Sequence, residues 1–191
     1  MIAAVLAAAA LVMAVIALIR PTPAAIPASA PITTTPAPIP PVSITSAVAT
    51  SGTGQNQVVS LSIPANTLAV GTTFAIKAFG VQDATAATAV NFQIHLGPNN
   101  TTSDPVVSTS GKAVAANGGV ATDGMLTIRT TGSGGTTIAG ILNTVTDGAT
   151  TSTTTTRQTV DTTANNFLTL SVSTSAGVHT IEVAAISVVK A

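Results

Sequence analysis

Hydrophobic and polar residues alternate along most of the chain between residues 51 and 191. In VNFQIHLG, residues 90–97, every second residue is apolar and the residues between are mostly polar. NNFLTLSVS, residues 165–173, repeats this period, which is that of a half-buried β-strand. Segments rich in Val, Ile and Thr predict further strands: VVSLSI, TFAIKAFGV, MLTIRTT, TTIAGIL and HTIEVAAISVV. The pattern predicts about eight strands in an antiparallel, jelly-roll-like β-sandwich.

Segments rich in Gly, Asn and Asp separate the predicted strands, namely GPNNTTSDP, ANGGVATDG, TGSGG and TDGAT. TGSGG, residues 131–135, predicts a tight hairpin connection. The Thr-rich stretch at 147–159 predicts either a loop or a polar edge strand. Asp favours turns because its side chain bonds nearby main-chain groups. We therefore place five aspartates in turns: Asp83, Asp104, Asp123, Asp147 and Asp161.

Two different patterns precede the β region. Residues 2–19 hold no polar side chain, and residues 21–50 hold eight of the eleven prolines. Proline fixes φ and lacks a donor, so the second stretch predicts an extended arm rather than a helix or a central strand. We divide the chain into an apolar N-terminal helix at 1–20, a proline-rich extended arm at 21–50 and the β domain at 51–191.

Three environments could hold the apolar helix. A signal peptide is supported by the small residues Ala28-Ser29-Ala30, but no basic residue precedes the apolar run. A membrane span is also long enough, since residues 2–19 would rise about 27 Å as a helix. A bundle buried in protein fits as well, because β-branched residues recur at the a/d spacing that favours trimers. We favour burial in an assembly and keep the membrane as the alternative.

Apolar residues of the helix and the arm are the candidate contacts to partners. Burial of the helix would anchor the chain at about 25 cal/mol per Å² removed from water. The arm would place its larger side chains in grooves of a neighbouring chain. The candidate residues are Ile2, Val5, Ala9, Val12, Ile16, Ile19, Ile26, Ile32, Ile39 and Val42.

Composition argues against several kinds of partner. Only 6% of the residues are charged, the formal net charge is zero, and the six Lys and Arg are scattered. Nucleic-acid binding needs clustered cations to neutralise phosphates, so we expect none. Trp, Tyr and Cys are absent. Their absence disfavours a carbohydrate-binding platform and leaves no thiolate chemistry.

Candidate catalytic and metal-binding residues are few. The two imidazoles are His95, which alternates with the apolar residues of its strand, and His179, which lies near a predicted strand start. We predict that both are solvated. The sequence holds no P-loop motif and no G-x-S-x-G nucleophile elbow, and its carboxylates are spread along the chain. We therefore predict no catalytic residue, no metal site, no cofactor and no small-molecule substrate.

Five segments of the β region, taken in order, resemble a known domain. They are similar to segments of a β domain common in virion proteins of tailed bacteriophages: SIPANTLAVGTTFAIKAFGV, VNFQIHLG, DGMLTIRTTGSGGTTIAG, VDTTANNFLTLSVS and IEVAAISVV. The resemblance spans about residues 58–189 and does not cover the apolar helix. It implies a jelly-roll-like structural domain of a decoration, fibre or minor capsid protein, often trimeric and without catalytic residues. Strands of that group often hold Trp or Tyr, and this chain has neither.

These observations predict a non-enzymatic phage virion structural protein that forms a homotrimer and binds other virion structural proteins. Its N-terminus would be inserted in the particle, and its β domain would lie at the particle surface. The alternative is a membrane-anchored surface or filament subunit, similar in outline to pilins, in which residues 2–19 would contact lipid.

Overall fold

The computed structural model describes residues 38–83, 86–139, 142–146, 149–151 and 157–190. The predicted helix and most of the predicted arm lie outside these residues. So do eight of the ten candidate contact residues, from Ile2 to Ile32. Within the predicted loop or edge strand at 147–159, the structure describes 149–151 and 157–159, and both pieces are strand.

Thirteen β-strands make up most of the described residues, and neighbouring strands pair antiparallel throughout. They are β1 (Val42–Ser43), β2 (Val48–Ser51), β3 (Asn56–Ile63), β4 (Thr73–Gln82), β5 (Thr88–Gly97), β6 (Val106–Val114), β7 (Gly119–Thr130), β8 (Gly135–Ala139), β9 (Asn143–Thr146), β10 (Ala149–Thr151), β11 (Arg157–Val160), β12 (Asn166–Thr174) and β13 (Val178–Lys190). The predicted mostly β, antiparallel fold class is confirmed.

The strands form two sheets. Sheet A has the order β1-β13-β4-β7-β8-β11, with β2 also paired to β13 and the β9–β10 hairpin paired to β7 through β9. Sheet B has the order β3-β12-β5-β6. The chain crosses repeatedly from one sheet to the other, for example from β3 to β4 and from β4 to β5. Two antiparallel sheets joined in this way form a sandwich-like domain.

The hydrophobic core lies between the sheets, because the buried apolar residues of each strand occupy alternate positions and fall on one side. Phe74 and Ile76 of β4 face Phe92 and Ile94 of β5 across the core, and each is at most 1% exposed. Burying one such side chain stabilises the fold by about 1.5–3 kcal/mol. The period of two predicted for 90–97 is therefore confirmed.

The predicted hairpin at TGSGG is present between β7 and β8. Gly132 has a φ of 105°, a conformation that side chains other than glycine rarely adopt. The main-chain N–H of Gly135 donates to the carbonyl of Gly132 at 3.1 Å, which closes the turn.

The turn predicted over ANGGVATDG is shorter than expected. Gly118 N–H donates to the Ala115 carbonyl at 2.9 Å, and Asn117 takes a φ of 54°, so four residues reverse the chain. β7 then begins at Gly119. The placement of Asp123 in a turn is therefore wrong: it lies within β7, on the side that faces away from the core.

The end of the predicted arm joins sheet A. β1 and β2 both pair with β13. Ile39, Val42 and Ile44 are partly buried against the core of their own domain. Two of the candidate contact residues, Ile39 and Val42, thus contact this chain itself, and their placement in a neighbour's groove stays a prediction.

Candidate functional site

Part of the outward side of sheet A is apolar, although exposed charges, among them Lys77, Asp123 and Glu182, lie on the same side. Side chains alternate along a strand, so every second residue of β4, β7 and β13 points away from the core. Phe79 is 49% exposed, Met125 is 47% exposed and Val183 is 55% exposed. This surface, here termed the apolar face, comprises Ala75, Lys77, Phe79, Ala121, Asp123, Met125, Val145, Val183 and Ala185.

Strand register arranges this face in rows. Val183, Phe79, Ala121 and Val145 are successive partners across β13, β4, β7 and β9. Partners in neighbouring strands have Cβ atoms about 4.5–5.5 Å apart, so the four side chains form a continuous apolar strip. A contiguous exposed patch of this kind marks an interaction surface more often than a scattered apolar residue does.

A charged row lies beside that strip. Lys77 of β4 and Asp123 of β7 are partners, and both are exposed. On the far side of the charged pair, Ala75 is the partner of Met125. The centre of the apolar face therefore consists of three successive pairs, of which the outer two are apolar and the middle one joins opposite charges.

The sequence does carry a signal for the apolar face. In TFAIKAFGV, Phe74 and Ile76 occupy one set of alternate positions, while Ala75 and Phe79 occupy the other. A strand that is apolar on both sides is typical of strands covered on both sides. The period of two predicts the strand correctly from one apolar side alone.

The prediction that His95 is solvated is wrong. Its side chain does point away from the core, but it is only 1% exposed because the loop at 98–105 lies against it. His95 Nδ1 donates to the main-chain oxygen of Asp104 at 2.9 Å, and Nε2 lies 2.8 Å from Ser171 Oγ. Ser171 Oγ also lies 2.9 Å from Gln55 Oε1. The imidazole therefore joins β5, β12 and the loop at 98–105.

A serine hydroxyl beside an imidazole has the elements of a nucleophile and its base. Here the pair is inaccessible, since Ser171 is 0% exposed in the middle of β12. The group that orients the imidazole is the Asp104 carbonyl rather than a carboxylate. The Asp104 carboxylate is directed elsewhere and accepts hydrogen bonds from Asn99. This arrangement supports the sheet and offers no reacting group to a substrate.

The prediction that His179 is solvated is also wrong. His179 is the first inward-facing residue of β13 and is 0% exposed. Neither of its ring nitrogens has a hydrogen-bond partner. Burial lowers the pKa of His179, and the nearby Asp83 carboxylate opposes this effect in part. Gln82, its partner in β4, is also buried and leaves Oε1 unpaired. Both side chains face inward at one end of the sandwich.

Lowering the pH from 7.5 to 5.5 is expected to destabilise the domain through His179. Its pKa in the folded state lies below that in the unfolded state, so the unfolded chain binds the proton more tightly. The contribution of His179 to the free energy of unfolding is therefore fully present above the ordinary pKa of about 6.5. It is lost as the pH falls below that value. Urea unfolding at several pH values measures the slope of the free energy of unfolding against pH. His179→Leu should flatten it, and an unchanged slope in that variant would refute this role.

A small pocket of about 210 Å³ lies beside Leu96, Pro98, Pro105 and Asp161. The Thr163 hydroxyl donates to Asp161 Oδ1 at 2.6 Å, and this hydrogen bond lowers the pKa of the carboxyl. Acid–base catalysis by carboxyls needs a second titratable group with a different pKa. No second titratable group lines this pocket.

Within the described residues, no group of three or more His, Asp or Glu side chains is arranged to hold a metal ion. The same part of the chain contains no helix with the length and apolar character that crossing a membrane requires. The predicted helix at 1–20 lies outside that part. Comparison with known protein families, with characterised proteins and with solved structures finds no match. The candidate functional site therefore rests on the apolar face.

Proposed function

We propose that this chain is a non-enzymatic structural subunit of a virion, of the decoration, minor capsid or fibre type. The observation that carries the proposal is the apolar face. Phe79, Met125 and Val183 are about half exposed on a rigid sheet, and nothing in the described residues covers them. Burying them needs a partner, so the surface suits a protein that works by assembling.

The architecture supports the same proposal. We take the domain to be jelly-roll-like, as its resemblance to tailed-phage virion domains implies. Two antiparallel sheets with repeated crossings between them are consistent with that topology. The outer side of sheet B differs from the apolar face, because its polar side chains bond one another, as Ser60 does with Thr169 and Asn100.

Residues 1–37 are the proposed tether. In this account the apolar helix is buried inside the particle as a homotrimeric bundle, and the arm connects it to a domain displayed at the surface. Other virion structural proteins would surround the helix. A membrane in place of that protein environment would make the chain a membrane-anchored surface or filament subunit.

Deleting residues 1–37 is expected to leave a folded domain that no longer joins the particle. This cut keeps β1 and the partly buried Ile39, Val42 and Ile44 in place. Thermal unfolding followed by circular dichroism checks the fold, and co-sedimentation with particles from the same cells checks incorporation. Removing residues 1–20 alone separates the role of the helix from that of the arm.

Normal incorporation of the 1–37 deletion would refute the tether. A full-length chain that fractionates with membranes, and not with particles, would instead support the membrane-anchored alternative.

A further inference from the structure

We infer that the apolar face binds a second copy of this chain, face to face, about a two-fold axis parallel to β4 and β7 and midway between them. The inference goes beyond the proposed virion role and does not depend on it. It rests on the identity and register of the side chains along two neighbouring strands.

The first support is a match of sizes. A two-fold axis in this position places β4 of one copy over β7 of the other, residue for residue. Phe79 then lies over Ala121 of the second copy, and Met125 lies over Ala75. Each large side chain meets a small one, which is the condition for two surfaces to interdigitate without voids. Because the axis exchanges the copies, each match occurs twice.

The second support is charge, which also selects the axis. With the axis along the strands, Lys77 of each copy lies over Asp123 of the other. With the axis across the strands at this row, Lys77 would lie over Lys77 and Asp123 over Asp123. Like charges brought together in an interface cost several kcal/mol. The face is therefore complementary to itself in one orientation and repulsive in the other.

The size of the face suits a contact between two copies. β13, β4 and β7 lie side by side over about nine residues, and the four-residue β9 extends part of the face beside β7. Strands about 4.8 Å apart then give a surface of roughly 15 by 30 Å with a shorter additional edge. A standard interface buries about 800 Å² of accessible surface per partner. Accessible surface follows the side chains and exceeds the flat area, so this face is of the same order. Packed sheets cross at about 30°, so the match is closest at the central pairs.

This contact is two-fold and lies on the outward side of sheet A, whereas the predicted homotrimer is three-fold. A chain with one three-fold and one two-fold contact builds an assembly larger than either oligomer, because each contact links copies that the other leaves apart. Self-association through the β domain thus adds to the tether.

A charge exchange between two variants tests the inference. Lys77→Asp alone places like charges opposite Asp123 of a second copy, and Asp123→Lys alone places like charges opposite Lys77. Each full-length variant is expected to self-associate at least tenfold more weakly than the unmodified chain, since each tenfold loss corresponds to only about 1.4 kcal/mol. In an equimolar mixture, a dimer with one copy of each variant places Asp at 77 over Lys at 123, and Asp123 over Lys77. Opposite charges then meet at both positions, so the association returns.

Sedimentation velocity in one mild detergent, used for every sample, measures the species lost and regained. Any contact through residues 2–19 is common to all samples and cancels. Thermal unfolding confirms that both variants fold. Single variants that associate like the unmodified chain would overturn the inference. So would a mixture that stays dissociated, because within-chain effects of either substitution cannot be relieved by mixing.

Discussion

Replacing Phe79 by Asp is expected to abolish the contact between two apolar faces while the domain stays folded. Phe79 is about half exposed in the isolated domain, so a carboxylate there remains hydrated. In an assembly the same carboxylate would be buried in the strip formed by Val183, Ala121 and Val145, without a partner. Adding an unpaired buried charge and losing the Phe contact together cost several kcal/mol. Sedimentation velocity measures the loss of the assembled species.

Val70 supplies the matched control for this substitution. It is 65% exposed and lies in the loop between β3 and β4, outside the apolar face. Val70→Asp introduces the same charge at an apolar position and should leave association unchanged. If both variants dissociate equally, added negative charge rather than the apolar face accounts for the effect.

Replacing His95 by Ala is expected to lower the free energy of unfolding by about 2–4 kcal/mol. The change removes a buried ring, leaves the Asp104 carbonyl without its partner and removes one of the two partners of the Ser171 hydroxyl. Urea unfolding at pH 7.5 measures the effect. Ser62→Ala is the control, because Ser62 is exposed on β3 of the same sheet. A loss in His95→Ala no greater than that in the control would contradict the supporting role of the imidazole.

The case of His95 shows what an alternating pattern can and cannot predict. VNFQIHLG correctly placed His95 on the side of β5 opposite Phe92 and Ile94. The pattern cannot show whether a loop lies against that side of β5. Such a loop can directly follow the strand or come from elsewhere in the chain. Here the loop at 98–105 lies against it and completes its hydrogen bonds. Burial at such a position depends on tertiary contacts that period alone does not encode.

The boundaries of strands were harder to predict than their existence. Asp-Gly at 123–124 predicts part of a turn, but the turn is complete at Gly118. β6 was not predicted, because Ser108, Ser110 and Gly111 interrupt its apolar residues. It lies at the edge of sheet B and pairs only with β5. Neighbouring strands can hold such a segment in the sheet even where its own propensity is weak.

The apolar face was missed for a different reason. Fold prediction asks which side of a strand faces the core, and one apolar side is enough to answer it. TFAIKAFGV has two such sides, and the second becomes informative only when β4 is placed between β13 and β7. The Lys77–Asp123 pair likewise depends on register, since the two residues are far apart in the chain.

Oxidation of Met125 tests the central claim, that the apolar face is buried between chains, most directly. Met125 is 47% exposed in the isolated domain and lies at the centre of the apolar face. Its reaction with dilute peroxide can be followed by mass spectrometry in the assembled full-length chain and in Phe79→Asp. We predict that Met125 oxidises several times more slowly in the assembled chain than in the variant. Equal rates in the two samples would show that the face stays open to water, which would contradict the account.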